Sequence, residues 1–117
     1  MQDFRQLKVW EYSHQLVIHV YNHTAGFPKS ELYGLTGQIR RAAVSVPANI
    51  AEGCCRGSDQ DFARFLQVAV GSVSELDYLL LLSRELQFLS TEVHSSLIAE
   101  LDRIRQMLIN LIQKLHG

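Results

Sequence analysis

Between residues 6 and 115 the apolar residues return at steps of three and four, and no stretch sustains the two-residue alternation of a half-buried strand. That spacing confines the chain to helices, each burying one stripe. A first helix is predicted from about Gln6 to Ala25, with Val9, Trp10, Ser13, Leu16, Val17, Val20, Tyr21 and Thr24 on its stripe. Gly26 ends it and Pro28 blocks continuation. Ser30 is the expected cap of a second helix whose inward positions are Leu32, Leu35, Ile39, Ala42, Ala43 and Val46. Gly34 and Gly37 lie on its other side; a mid-helix glycine costs ~1 kcal/mol relative to alanine, so another backbone is expected to pack there closely. Ser58 and Asp61 form a capping box for a third helix to about Gln87, with Phe62, Phe65, Leu66, Ala69, Val73, Leu76, Leu80 and Leu86 inward. The run Leu79, Leu80, Leu81, Leu82 makes that helix apolar on every side, so it is expected to be covered on every side. Ser90 or Thr91 opens a fourth, whose seam reads Leu97, Leu101, Ile104, Leu108, Leu111 and Leu115. With short connections throughout, the fold class is all-α: an antiparallel up-down-up-down four-helix bundle, one domain over residues 1–117.

Within the second helix, Gln38–Gly53 carries Pro47 about two turns before Gly53. A proline in a helix interior removes a donor and clashes with the preceding turn, at a cost of ~3 kcal/mol or more, so a kink is predicted there. Ser45 and Asn49 flank the proline and are candidates to bond the carbonyls it strands, while Glu52 is within reach of an arginine from a neighbouring helix or subunit. Ser45, Pro47, Asn49 and Glu52 therefore read as a structural polar junction.

At 47% apolar content over 117 residues the chain can bury one core, and no uninterrupted apolar run approaches the roughly 18 residues of a membrane helix. The start lacks a signal-peptide pattern, so a cytoplasmic location and no membrane partner are expected. Cys54 and Cys55 are adjacent and offer neither a structural disulfide nor the second pair a zinc site needs. Net charge is −1, which argues against a uniformly basic coat. Residues 1–57 nonetheless carry six basic and four acidic groups, against five and eight in 58–117. Arg40, Arg41, Arg56 and Arg64 flank the proline and the glycine-rich connection, and helical geometry allows at least three to share one edge, where they would neutralise phosphates of RNA or DNA without reading bases. The competing expectation pairs Arg40 or Arg41 with Glu52, Asp59, Asp61 or Glu75.

Glu11 and His14 form the Glu-x-x-His of di-iron bundles, but once only, and His19 and His23 point about 130° away from that pair at 100° per residue. No metal and no other cofactor is expected. The serines fall at caps and small packing positions rather than beside a base, so no catalytic residue is assigned and no enzyme is expected.

The segments F-R-Q-L-K-V-W from Phe4, F-P-K-S-E-L-Y-G-L from Phe27, the proline stretch, and F-A-R-F-L-Q-V-A-V-G-S-V-S-E-L-D-Y from Phe62 together resemble the bacterial 23S rRNA intervening-sequence proteins. These are also called four-helix-bundle proteins, and the accessory variability determinants of diversity-generating retroelements are more distantly similar. The likeness runs from Phe4 to about Leu86 and departs at Cys54-Cys55. It implies a helical bundle that assembles with itself, as a pentameric ring, in a poorly defined cellular role. Helical-bundle ribonucleases of the HEPN type use an arginine followed a few residues later by histidine, a spacing no arginine has here. The expected function is therefore a non-enzymatic, self-assembling adaptor or scaffold, partnered by itself and by RNA, DNA or another protein, with direct backbone binding through the arginines as the alternative.

Overall fold

The computed structural model describes residues 3–117; Met1 and Gln2, which the domain reading includes, lie outside the described residues. Four helices account for most of the chain: α1 (Lys8–Thr24), α2 (Leu35–Cys54), α3 (Asp59–Glu85) and α4 (Thr91–His116), with no strand among the described residues. Single 3-10 turns at Phe4–Gln6 and Lys29–Glu31 precede α1 and α2. Each of α1 and α3 packs against both α2 and α4, whereas the backbones of α1 and α3, and of α2 and α4, nowhere come within 8 Å between Cα atoms. The cross-section is thus a square with α1 and α3 at opposite corners.

The core is the sum of four stripes. Leu16, Val20, Ile39, Val46, Ile50, Leu66, Leu76, Leu80, Leu97, Leu101, Ile104 and Leu108 are all essentially solvent-free. Burying a leucine, isoleucine or valine contributes about 1.5–3 kcal/mol over leaving it exposed, so these stripes dominate stability. At the end of α4 the buried residue is Ile112 rather than Leu111 or Leu115, which are partly covered. The helix keeps its 3.6-residue period there and drifts off the heptad seam.

Ser58 and Ser90 cap α3 and α4 as expected, accepting from the amides of Asp61 and Val93, both at 3.1 Å. Ser30 does not cap α2. It sits in the 3-10 turn, and the Glu31 carboxylate instead accepts from the Leu35 amide at 3.1 Å, an acid at the positive end of the helix. Leu32 therefore precedes α2 and is exposed, as are Tyr21 and Leu86, the latter lying beyond the end of α3.

The glycines Gly34 and Gly37 are occupied from within the chain. A Cβ on Gly37 would meet the Leu32 carbonyl oxygen at 3.0 Å and the Arg41 guanidinium at 3.1 Å, and one on Gly34 would meet the Glu31 carboxylate at 2.9 Å. The backbone they admit is the chain's own turn into α2. Gly53, expected as a stop, is helical and buried. Its missing Cβ would lie 2.8 Å from the Phe62 ring and 3.0 Å from the Phe65 Cβ, so it sets how closely α2 and α3 approach.

The leucine run divides. Leu79 and Leu80 are buried, whereas Leu81 and Leu82 are only partly covered. By length and composition α3 is the one described helix apolar enough to cross a membrane, and only 33% of its most apolar 18-residue window is buried in the bundle. Counting uninterrupted apolar runs missed this, because Glu75 and Asp77 break the run without cancelling its apolar character.

Candidate functional site

Two features of α2 concentrate polar side chains: the junction around Pro47 and the arginines toward its two ends. Pro47 is buried and has no amide proton, so the Ala43 carbonyl has no donor four residues on. Around it runs a directed relay. The Asn49 amide donates to the Ser45 carbonyl at 2.8 Å and to the Ser45 hydroxyl at 3.0 Å. The Ser45 and Ser72 hydroxyls lie 2.8 Å apart, and Ser72 donates to the Val68 carbonyl at 3.2 Å. Since Ser72 spends its proton on Val68, Ser45 donates to Ser72, and the chain from Asn49 to Val68 has one direction. It ties α2 to α3 beside the proline. Ser72 was read as neither a site nor a core residue; its place opposite Ser45 depends on helix pairing, which local spacing does not carry.

Glu52 stands apart from this junction. It pairs at 3.3 Å with Arg56, four residues on, and both side chains are about half exposed, so the expected bridge to a neighbouring helix is replaced by a local surface pair. Arg64 likewise pairs with Asp61, three residues away, at 3.4 Å. Both guanidiniums lie against the Phe65 ring, at 4.7 Å and 5.0 Å from its centroid. Each is thereby held at the α2/α3 connection.

Arg40 and Arg41 lie elsewhere. Arg40 lies fourteen residues before the end of α2 at Cys54, ~21 Å at 1.5 Å per residue, and Arg56 lies beyond that end, so the four arginines form two pairs rather than one cluster. Arg40 is anchored on α1: its Nε donates to the Thr24 hydroxyl at 3.0 Å, and its guanidinium lies 4.5 Å from the centroid of the Tyr21 ring. Arg41 is exposed and makes no ion pair among the described residues. The two border a groove of about 470 Å³, with Tyr21, Gly37, Val44 and Ser45 as the other lining residues and no carboxylate among them. One guanidinium held in place and one free, facing an open concavity without acids, is an arrangement suited to an oxyanion such as phosphate. None of the acids considered as alternatives, Glu52, Asp59, Asp61 or Glu75, pairs with Arg40 or Arg41.

The histidines are used separately. His14 stacks on Trp10 at 5.0 Å, and His19 Nδ1 lies 2.9 Å from the Glu100 carboxylate, a link between α1 and α4. No group of three or more metal-ligating side chains is brought together among the described residues. His94 is buried at the start of α4 and its Nε2 has no partner. Burial, with Arg84 nearby, lowers its pKa below the usual histidine value. Burial likewise pushes the Cys54 thiol up, while Cys55 is exposed.

Helix count, square packing and the absence of a strand among the described residues place the protein among the small all-α helical-bundle proteins. The chain belongs to the family described as 23S rRNA-intervening sequence protein, whose family model matches residues 5–110. Among solved structures it is similar to a protein of unknown function from the S23 ribosomal protein family of Bacteroides thetaiotaomicron VPI-5482. That likeness has 24% identity over 90% of this chain and 95% of the other, with a TM-score of 0.82, and so concerns the fold. No curated protein matches the chain.

Proposed function

We propose that this protein is a non-enzymatic, self-assembling helical bundle that serves in the cytoplasm as an adaptor or scaffold. The observation that carries this reading is α3, which has a stretch long and apolar enough to cross a membrane and buries only a third of that stretch in its own bundle. Val68 and Tyr78, on its outer side, are 50% and 60% exposed. Surface of that kind marks an interaction site. The hydroxyls of Ser13, Thr24, Ser72 and Ser83 all donate to carbonyls four residues back, a structural use that takes them out of contention as nucleophiles. The test is light scattering at micromolar concentration: a mass well above the 13.3 kDa chain is expected, about five times that for the pentameric ring the family likeness implies. A mass of one chain refutes the reading.

The same reading includes a helix path running up-down-up-down with α2 bent at Pro47. In its favour, the end of α2 (Gly53) meets the start of α3 (Phe62), and Tyr21 and Thr24 late in α1 meet Arg40 early in α2.

A second reading, direct binding of RNA or DNA backbone, is favoured by the acid-free groove at Arg40 and Arg41. Such binding falls steeply with salt and is indifferent to sequence. Arg41 is the residue to change, since Arg40 also braces α1: Arg41→Glu is expected to abolish RNA retention at low salt with helicity unchanged. Retention equal to the unaltered protein, or none in either, defeats this second reading.

A further inference from the structure

The uncovered stripe on α3 is built from positions 68, 71, 75 and 78, three and four apart and therefore in line along one side. Val68 and Tyr78 supply apolar surface, Gly71 has no atom within 4 Å of where its Cβ would stand, and Glu75 is exposed without an ion-pair partner among the described residues. The stripe is ~15 Å long at 1.5 Å per residue. It is acidic, apolar and open at its centre.

Across the bundle, the seam between α1 and α4 holds a groove of about 320 Å³. Leu7, Met107 and Leu111 are among its lining residues, and Lys8, Asn110 and Lys114 stand in it with them. Neither lysine makes an ion pair among the described residues. Because α1 and α3 occupy opposite corners of the square, the groove and the stripe face away from each other and cannot meet within one chain.

We propose that the α3 stripe of one copy docks in the α1/α4 groove of the next, with Val68 and Tyr78 on the leucine and methionine floor and Glu75 between Lys8 and Lys114. This rests on the self-assembly reading above and specifies its interface. The occupant is a second copy because the two surfaces are opposite in charge, Glu75 against Lys8 and Lys114, and both carry uncovered apolar side chains. Unlike surfaces on opposite sides make the contact heterologous, so each subunit uses both and copies add in one direction, closing as a ring if the rotation per step allows and extending as a filament otherwise.

The test uses the full chain and follows mass by light scattering over a concentration series, with circular dichroism as a check on helicity. Gly71→Arg, Glu75→Lys, and Lys8→Glu with Lys114→Glu are each expected to raise the concentration for half-assembly about tenfold or more, through a filled gap or like charges set face to face. Gly71 is open and helical, so its replacement leaves the bundle intact. Combining Glu75→Lys with both lysine reversals restores complementarity and is expected to return assembly most of the way. If the protein assembles but the variants assemble like the unaltered chain, or the combination does not recover, the docking surfaces are wrong while self-assembly stands. If the unaltered chain is a monomer, both fall.

Discussion

Gly53→Ala and Gly71→Ala add the same methyl group to the interior of a helix and are expected to move stability in opposite directions. Relieving a helix of glycine is worth ~1 kcal/mol in each case. At Gly71 nothing opposes that gain, since no heavy atom lies within 4 Å of the new Cβ. At Gly53 the Cβ arrives 2.8 Å from the Phe62 Cδ1 and 3.0 Å from the Phe65 Cβ. Ordinary carbon contacts begin near 3.5 Å, so α2 and α3 must separate by roughly 0.5–0.7 Å or the buried Phe62 ring must leave its rotamer. Neither neighbour is the loose end of a flexible chain; one is an aromatic ring in the core and the other a Cβ fixed to its helix. Overpacking of this kind costs about 1–3 kcal/mol, leaving Gly53→Ala a net ~0–2 kcal/mol less stable and Gly71→Ala ~1 kcal/mol more stable. For a domain of this size 1 kcal/mol corresponds to roughly 4–5 °C, so thermal melts should place the two variants about 4–15 °C apart. Melts are run at one concentration low enough that assembly does not contribute. A Gly53→Ala protein as stable as Gly71→Ala would refute the argument that this glycine sets the α2/α3 distance.

Three further outcomes are expected. Asn49→Ala removes the head of the relay to Ser45 and Ser72; lost hydrogen bonds of ~1–2 kcal/mol, partly offset by alanine's helix preference, leave it about 1 kcal/mol less stable, measured by urea denaturation. Glu52→Ala, which breaks only an exposed local pair, is expected to stay within about 0.5 kcal/mol of the unaltered protein in the same assay, and a larger loss would restore Glu52 to the junction. His94 is buried without a partner and its folded pKa lies below the unfolded value, so the unfolded chain takes up the proton first. Stability from this residue is therefore full above the unfolded histidine pKa and lost as pH falls below it. Melting temperatures from pH 7.5 to 5 should drop more steeply in the unaltered protein than in His94→Leu, and equal slopes would contradict this.

Much of the helical layout was legible because 3.6-residue periodicity and side-chain caps are local signals: Ser58 and Ser90 sit where spacing put them. What sequence could not supply were relations between helices. Ser72 acquires its role only once α3 lies beside Ser45, and Arg40 is withdrawn from a surface cluster because Thr24 and Tyr21 of α1 hold it. The cap of α2 was missed for a different reason. A glutamate reaching forward four residues competes poorly, as a sequence signal, with a serine at the expected spot. The outward glycines were read as admitting a foreign backbone, since spacing shows that room exists but not what fills it. Of the candidate site, the pairing of Arg40 with Arg41 was visible as adjacency, whereas the seating of Arg56 and Arg64 on the Phe65 ring depends on how α2 meets α3.

The contact of Gly53 with Phe62 joins residues only nine positions apart, across the four-residue connection Cys55–Ser58. Closing so small a loop sacrifices little chain entropy, and the glycine lets the two backbones come together before any large side chain has to be ordered. The α2/α3 pair is thus placed to form first as the chain folds, with α1 and α4 condensing onto it from either side. Kinetically, a fault at Gly53 would then show as slowed folding, whereas trimming Leu108 on α4 would show as hastened unfolding.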